Sequence, residues 1–501
     1  MPYSHIGVRS SVAQQKLARA LSGLTEEFKL PGEFSPEVMA EVNATIAGHV
    51  LPAEDLTALP FITIDPPASE DLDQAMYLEP GDDGGYVVHY AIADVPSFVP
   101  AGGELDAETR RRGQTVYTPN ARIPLHPVPL SEGAASLFAD DVRSAYVWTI
   151  TLDAGGLQRT AAVRRARVRS VAKLGYEQAQ QMHDDGTAPP AYAGTLRLLR
   201  EIGLKRVELE RARGGASLNV PQQEVSFANG RYSLEFRPAL PIEDWNAQIS
   251  LLTGMAAAQL MIDGKVGILR TMPAPDDEAV KAYRLKTVAL GSPWTEDVAY
   301  GEYLRTLDAA DPRQLALLHA ATSLFRGAGY TPFDGELPAE ILQAAVAAPY
   351  AHATAPLRRL VDRFVLAICA SLSAGEDVPA WARQALDQLP GIMAVSNQLA
   401  ARVDRAAIDV IEAALLSHRV GAEFDAVVLS GPRRNGNGNG NGNGKSAPRS
   451  TIQIREPAIA GYCEGDLAPG TVVRVKLIEA DIDKRSILFT PVPGAAAHTA
   501  P

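Results

Sequence analysis

"FITIDPPASEDLDQA", residues 61–75, is the stretch on which the reading of this chain turns. The apolar, β-branched run from Phe61 to Ile64 has strand character and stops at Asp65. Pro66 and Pro67 then force a change of direction. Glu70, Asp71 and Asp73 follow within eight positions of Asp65, and the run closes on Gln74. In an extended chain Asp71 and Asp73, two apart, point to the same side. Carboxylates gathered there repel one another unless protons or a cation offset the charge. Magnesium suits such an all-oxygen site, taking one or two carboxylates beside substrate phosphates, and would support metal-assisted phosphoryl transfer. The plain alternative is a capped, solvated acidic bend, because Asp before proline often caps a turn. The stretch by itself leaves both open.

Outward from it, the chain reads as strands followed by long helices, an α+β order. "QAMYLEP" and "YVVHYAIADV" flank the hairpin signal "GDDGG", and "AYVWTITLD" and "LQRTAAVRRARVRSV" flank "AGG". Residues 190–212 have helical spacing, "RYSLEFRP" is a strand, and residues 243–418 are mostly Ala/Leu-rich helix. Near residue 420 short strands return: "GAEFDAVVLSG", "RSTIQIRE", "GTVVRVKLIEADID" and "RSILFTPV". They suit a small β-barrel over residues 421–495, an OB-fold of the kind that binds single-stranded nucleic acid. Its low-complexity "NGNGNGNGNG" run, residues 435–444, reads as a flexible loop. Residues 1–48 read as helices broken at "PGEF", either a helix-turn-helix or simple packing helices.

The totals narrow the function classes. A chain of 501 residues with 46% hydrophobic and 21% charged residues is long enough for more than one domain. A formal net charge of −12 argues against a general polyanion binder, while leaving room for a basic channel inside an acidic body. Two cysteines, Cys369 and Cys463, cannot build a disulfide framework or a zinc cluster. The N-terminus lacks a signal-peptide core and no apolar run approaches the ~20 residues that span a bilayer. A cytoplasmic protein without a membrane partner is expected, and with no sign of an obligate protein partner, a monomer.

Two further constellations bear on the acidic run. "YAHATAPLRRLVDRF", residues 350–364, sets Arg358 and Arg359 after a proline at a helix opening, where guanidinium forks and backbone donors suit phosphate. "RRRGQTVYTPNARIPLHPVPLS", residues 110–131, is too proline-rich for central strands and reads as an ordered surface loop. Its Tyr117 can stack on a nucleobase or pack against the prolines. Arg165, Arg167 and Arg169 alternate on one strand face as a candidate basic stripe, or an ordinary exposed face.

Together these elements resemble the ribonuclease II family, the RNB-type 3′→5′ exoribonucleases. "TIDPPASEDLDQA" is similar to the family signature, TID, a spacer, then D-x-D-D-A. "VHYAIADVPSFV", the long loop from Leu105, "RARGGASLNVPQQEV" and "YAHATAPLRRLVDRF" follow its other blocks in chain order, from about residue 50 to 420. The resemblance implies an RNB catalytic domain of mixed sheets and long helices over residues 49–420, a terminal S1-like barrel, and a short helical leader where relatives carry two cold-shock barrels. It implies Mg²⁺-dependent hydrolysis of single-stranded RNA from the 3′ end to nucleoside 5′-monophosphates. Carried over by position, Asp65, Asp73 and Gln74 would hold the metal, and Asp71, Asp73 and Arg358 would be catalytic. Tyr117 and Arg359 would bind substrate. Gln74 departs from a fourth family acid, as do Ala355 and Leu360 from the arginine block, and Asn246 and Ala247 stand where acids are usual. These departures keep a second reading open: a catalytically weak RNA-binding protein that retains the channel and the S1 barrel.

Overall fold

The computed structural model describes residues 6–7, 11–216, 222–228, 231–237, 239–309, 311–432, 448–454, 457 and 459–493. The Asn-Gly run 435–444 and residues 217–221 of the "RARGGASLNVPQQEV" block lie outside the described residues.

Five strands close into a barrel: Phe61–Ile64, Gln74–Pro80, Tyr86–Ala93, Val142–Leu152 and Gln158–Leu174. Neighbours run antiparallel in sequence order, and the first and last strands seal the barrel as a parallel pair, with Ile64 opposite Leu174. Alternate residues feed two separate cores. Ile62, Ile64, Tyr90, Ile92 and Trp148 join one, and Phe61, Ala75, Ala91, Val147 and Ala166 join the other. Both faces of Tyr86–Ala93 are covered, which is why "YVVHYAIA" reads as nearly continuous apolar sequence.

The closing parallel pair puts the acidic run on one rim. The strands Phe61–Ile64, Tyr86–Ala93 and Gln158–Leu174 end there, and Gln74–Pro80 begins there. Long helices wall that rim. Pro241–Gly264 starts with proline in its first turn, and Glu243 accepts from the Leu240 amide. Its Gly254 lies against Tyr350 so closely that a β-carbon would meet the ring at 2.1 Å, so only glycine fits. Leu360–Ala374 is buried on every side through its first ten residues, as expected of a helix crossing a core.

Leader helices Ser11–Glu27 and Pro36–Ala47 are present where helices were expected, but as packing helices. Leu17, Leu21 and Leu24 share a core with Val410 and Ile411 of the helix Leu389–Leu416 and with Ile482 of the terminal barrel. That barrel has five strands in the order Glu423–Ser430, Arg449–Ile454, Ala460–Glu464, Ser486–Pro491 and Val472–Asp481, closed around Phe424, Ile452, Cys463 and Phe489.

Several expectations need correction. The barrel's Ala460–Glu464 strand was not expected, because one glycine and a tyrosine exposed to solvent hide its alternation. Residues 110–131 are not simply a loop: helix Glu104–Arg112 runs into them, and Val116–Thr118 pairs with Ala121–Ile123 as a hairpin. Strands Val266–Thr271 and Gly329–Asp334 interrupt the helical region, made possible by their pairing with each other. Arg165 and Arg167 pair with Asp94 and Asp55, while Arg169 on the same strand is exposed, so the face is partly acid-paired. Cys369 and Cys463 are both buried and unpaired, one in the helix Leu360–Ala374 and the other in the terminal barrel. No described helix is long and apolar enough to cross a membrane.

Candidate active site

Residues 65–73 lie outside regular strand, so the same-side argument for Asp71 and Asp73 does not apply. Tertiary contacts place them instead. The Asp65 amide donates to the Leu174 carbonyl at 3.1 Å, anchoring the start of the acidic run on the rim. Buried Ser136 pins the middle: its hydroxyl accepts from the Leu72 amide at 2.9 Å and donates to the Glu70 carbonyl at 2.7 Å. The Asp73 carbonyl accepts from the Ala93 amide at 2.9 Å, registering the run against the end of "YVVHYAIADV".

The side chains then diverge. Asp73 is only 4% exposed, and Oδ1 accepts the Leu357 amide at 2.7 Å. Across from it, the Arg358 guanidinium Nε stands 3.5 Å from Asp73 Oδ2 with its side chain half exposed. Burial raises the Asp73 carboxyl well above the usual carboxylate range, and Arg358 and the Leu357 amide pull in the opposite direction. Asp65 is pushed up to about 6, first by burial and then, against the pull of Arg358, by the charge of Asp71. Among the described residues no hydrogen bond or ion pair engages the Asp65 carboxylate, which leaves its oxygens free to coordinate a cation. Asp71 turns away: Arg122 pairs with Oδ1 at 2.9 Å and the Tyr117 hydroxyl donates to Oδ2 at 3.2 Å. Tyr117 itself is half exposed.

Arg359 stands just before the helix Leu360–Ala374 and forks onto Asp362 in its first turn with two contacts of 3.0 Å, so its guanidinium is already engaged by a carboxylate. Gln74 is tied at both ends. Its amide oxygen accepts the Tyr90 hydroxyl and its amide nitrogen donates to the Thr354 carbonyl at 2.7 Å. Asn246 reaches the Ile64 carbonyl at 3.4 Å and bonds Tyr176, whose hydroxyl is pushed up to about 12 chiefly by burial and then by Asp65.

The segment carrying Arg358 is pinned from every side. Thr354 Oγ1 lies 2.9 Å from Ser250 Oγ, the Ala355 amide donates to Asp362 at 2.7 Å, and the Arg358 carbonyl accepts the Thr115 amide at 2.9 Å. His126 Nδ1 lies 3.1 Å from the Leu357 carbonyl. Burial holds that imidazole down to about 4, so it is neutral and donates through Nδ1. Arg122, His126, Tyr90 and Ser136 escaped sequence reasoning. Arg122 and His126 lie in the quoted loop "ARIPLHPVPL", and their position between prolines was the available signal. Tyr90 and Ser136 had none.

Among the described residues no three His, Cys, Asp or Glu side chains form a ready cage for a metal. The donor set still fits a hard cation: two oxygen-bearing carboxyls whose charged forms are disfavoured by burial, one of them unpartnered.

The model of the RNB domain matches residues 53–373. The chain belongs to the RNB-domain family. A second model, the RNase II-type exonuclease C-terminal S1 domain, matches residues 422–492. Beside these matches, the RNB chain is 29% identical over 327 residues to an exosome complex exonuclease RRP44 homolog A of Arabidopsis thaliana, covering 62% of this chain and 34% of that one. It is 39% identical over 158 residues to an exoribonuclease 2 of Sodalis glossinidius, covering 30% of this chain and 24% of the relative. These alignments span about a third or less of the curated relatives. In fold, the apo RNase R of Mycoplasma genitalium superposes with a TM-score of 0.82 at 18% identity, over 95% of this chain and 78% of that one. Structures of that RNase R exist with single-stranded and with double-stranded RNA. Yeast Ssd1, a pseudonuclease, shares the fold at a TM-score of 0.63 and 15% identity, over 83% of this chain and 51% of its own.

Proposed function

We propose that this RNB protein is a Mg²⁺-dependent hydrolytic exoribonuclease that shortens single-stranded RNA from its 3′ end and releases nucleoside 5′-monophosphates. The observation that carries the proposal is the facing pair of Asp73, locked by the Leu357 amide, and Arg358, half exposed 3.5 Å away. An acid and a guanidinium held so close can bracket one phosphodiester. Asp65 and Asp73 are the residues to hold the cation, which when bound would supply Lewis-acid charge and a more acidic water.

In the reaction, a water oxygen bonds to the phosphorus of the last linkage and the bond from phosphorus to the ribose O3′ breaks. The water loses one proton, and the leaving O3′ gains one, so the shortened RNA ends in a 3′-hydroxyl and the released nucleotide keeps the 5′-phosphate. Arg358 offers its fork to the oxygens where charge grows, and its fixed backbone means little reorganisation on the way. Tyr117 offers a stacking face to a terminal base and, through its hydroxyl, holds Asp71. The terminal barrel has OB-type strand order and would grip the strand upstream. A cytoplasmic monomer belongs to the same reading.

The second reading, an RNA-binding protein of weak activity, rests on Gln74, a neutral amide already bonded on both sides. One assay separates them. A 5′-labelled single-stranded RNA is incubated with Mg²⁺, with EDTA, and with Asp73→Asn in Mg²⁺. Stepwise shortening that stops in EDTA and falls at least about a hundredfold in the variant is expected. Tight binding with intact RNA in every lane sinks the enzyme and leaves the binding protein.

A further inference from the structure

Gln74 and Asp73, neighbours in sequence, grip the same foreign segment at two points. Asp73 takes the Leu357 amide at 2.7 Å and Gln74 gives a hydrogen bond to the Thr354 carbonyl at 2.7 Å, more than 270 residues away in sequence. Between those points the chain turns so that Arg358 faces Asp73. A carboxylate at position 74 has no proton to give a carbonyl, so the Thr354 link needs an amide. The amide is also kept in one orientation, because the buried Tyr90 hydroxyl donates to its oxygen and leaves the nitrogen facing Thr354. Thr354 is itself 2% exposed and bonded through its hydroxyl to Ser250, so the carbonyl cannot turn elsewhere without breaking that contact.

We infer that Gln74 is a positioning residue, a strut oriented by Tyr90 that sets the Thr354–Arg358 segment against the acidic run, and is not a cation ligand. The inference deepens the nuclease reading and rests on it for its effect on rate, though not for its effect on structure. It reverses what the position suggests from sequence: the amide is required here, and restoring an acid does harm.

Gln74→Met keeps the length and removes both hydrogen bonds. Amide hydrogen exchange across residues 354–359 is expected to rise in this variant, a readout that holds whether or not the wild type cleaves RNA. In the active protein kcat should fall roughly 10- to 100-fold from misplacement of the arginine, with KM for RNA moving little. Mn²⁺ affinity of the RNA-free protein, read by electron paramagnetic resonance, should stay within about twofold, since one neutral oxygen was never in the ion's sphere. Arg358→Ala should cost far less in the Gln74→Met background than alone, because the strut acts through that arginine. Gln74→Glu should lose rate as well. If Gln74→Met melts too low to assay, Tyr90→Phe removes only the orienting hydroxyl and should show the same pattern more weakly. Unchanged exchange at 354–359 overturns the strut. A fall in Mn²⁺ affinity of about tenfold or more, or a gain in rate with Gln74→Glu, makes Gln74 a ligand site instead. A wild type that binds RNA without shortening it defeats the nuclease reading alone, because the exchange experiment still decides the strut.

Discussion

The chain builds two closed five-stranded barrels, and they differ in what they do with polarity. Both close through one parallel pair, Ile64 with Leu174 in the first and Tyr462 with Leu488 in the second. In the first barrel the parallel pair joins the first and last strands, and the wall feeds two cores, one shared with helices Pro241–Gly264 and Leu360–Ala374 and the other with Pro36–Ala47. Its rim can therefore hold acids away from water, and Asp73 and Asp94 are 4% and 0% exposed there. In the terminal barrel the last two strands exchange places, the interior is filled by Phe424, Ile452 and Phe489, and the acids Glu423 and Asp425 sit outside with Arg474. Chemistry needs the first arrangement, because electrostatic interactions strengthen where water is excluded. Binding a long polymer needs only the second, an open face with an exposed Tyr462.

That contrast can be tested by single changes on each side. The largest effect is expected at Arg358. Arg358→Ala should lower the rate of RNA shortening about 10²- to 10³-fold, while RNA affinity measured by filter binding changes much less. A rate within a few-fold of wild type would place the charge stabilisation elsewhere on the rim. Tyr117→Ala comes next. Losing one stacking partner should weaken RNA binding by about 1–3 kcal/mol, and Tyr117→Phe should restore the stacking but not the hydroxyl on Asp71. In the terminal barrel, Tyr462→Ala should weaken affinity by only about 1 kcal/mol and leave single-turnover rate at saturating RNA untouched. If that rate also falls, the two barrels are not divided as described.

The smallest effect concerns stability. Asp65 has a folded-state pKa raised from 3.8 to about 6, so the folded protein holds a proton there that the unfolded chain has already released. Stability without divalent cations should therefore decline as pH rises from about 4 to about 6, and Asp65→Asn should flatten that slope. Adding Mg²⁺ should raise the melting temperature more at pH 7 than at pH 5, since the cation favours the ionised carboxyl. Equal shifts at both pH values would remove Asp65 from the cation site.

The limits of the sequence are visible at particular residues. Asp65, Asp73, Tyr117 and Arg358 stood out only once their blocks matched a family in chain order, because acids after a strand, a tyrosine among prolines and an arginine pair at a helix start each have an ordinary structural use as well. Asp71 was legible as an acid but not by its partner, because Arg122 reaches it from a hairpin that the prolines made look like a loop. His126 and Ser136 were invisible for another reason. A buried polar group is justified only by its hydrogen bond, and the partners of these two are carbonyls and amides, which every residue carries.

By itself, the sequence determined most strand segments of the first half, the largely helical second half and a terminal barrel, because hydrophobic periodicity and turn chemistry are local properties of a chain, while the site residues came from the family resemblance of whole blocks. Only the tertiary structure decided which acids stay together and what Gln74 does. Asp73 and Gln74 are adjacent in sequence, yet each finds its partner in the segment around Thr354 and Leu357, and hydrogen-bond partners that far apart are chosen by barrel closure and helix packing, which no local pattern encodes.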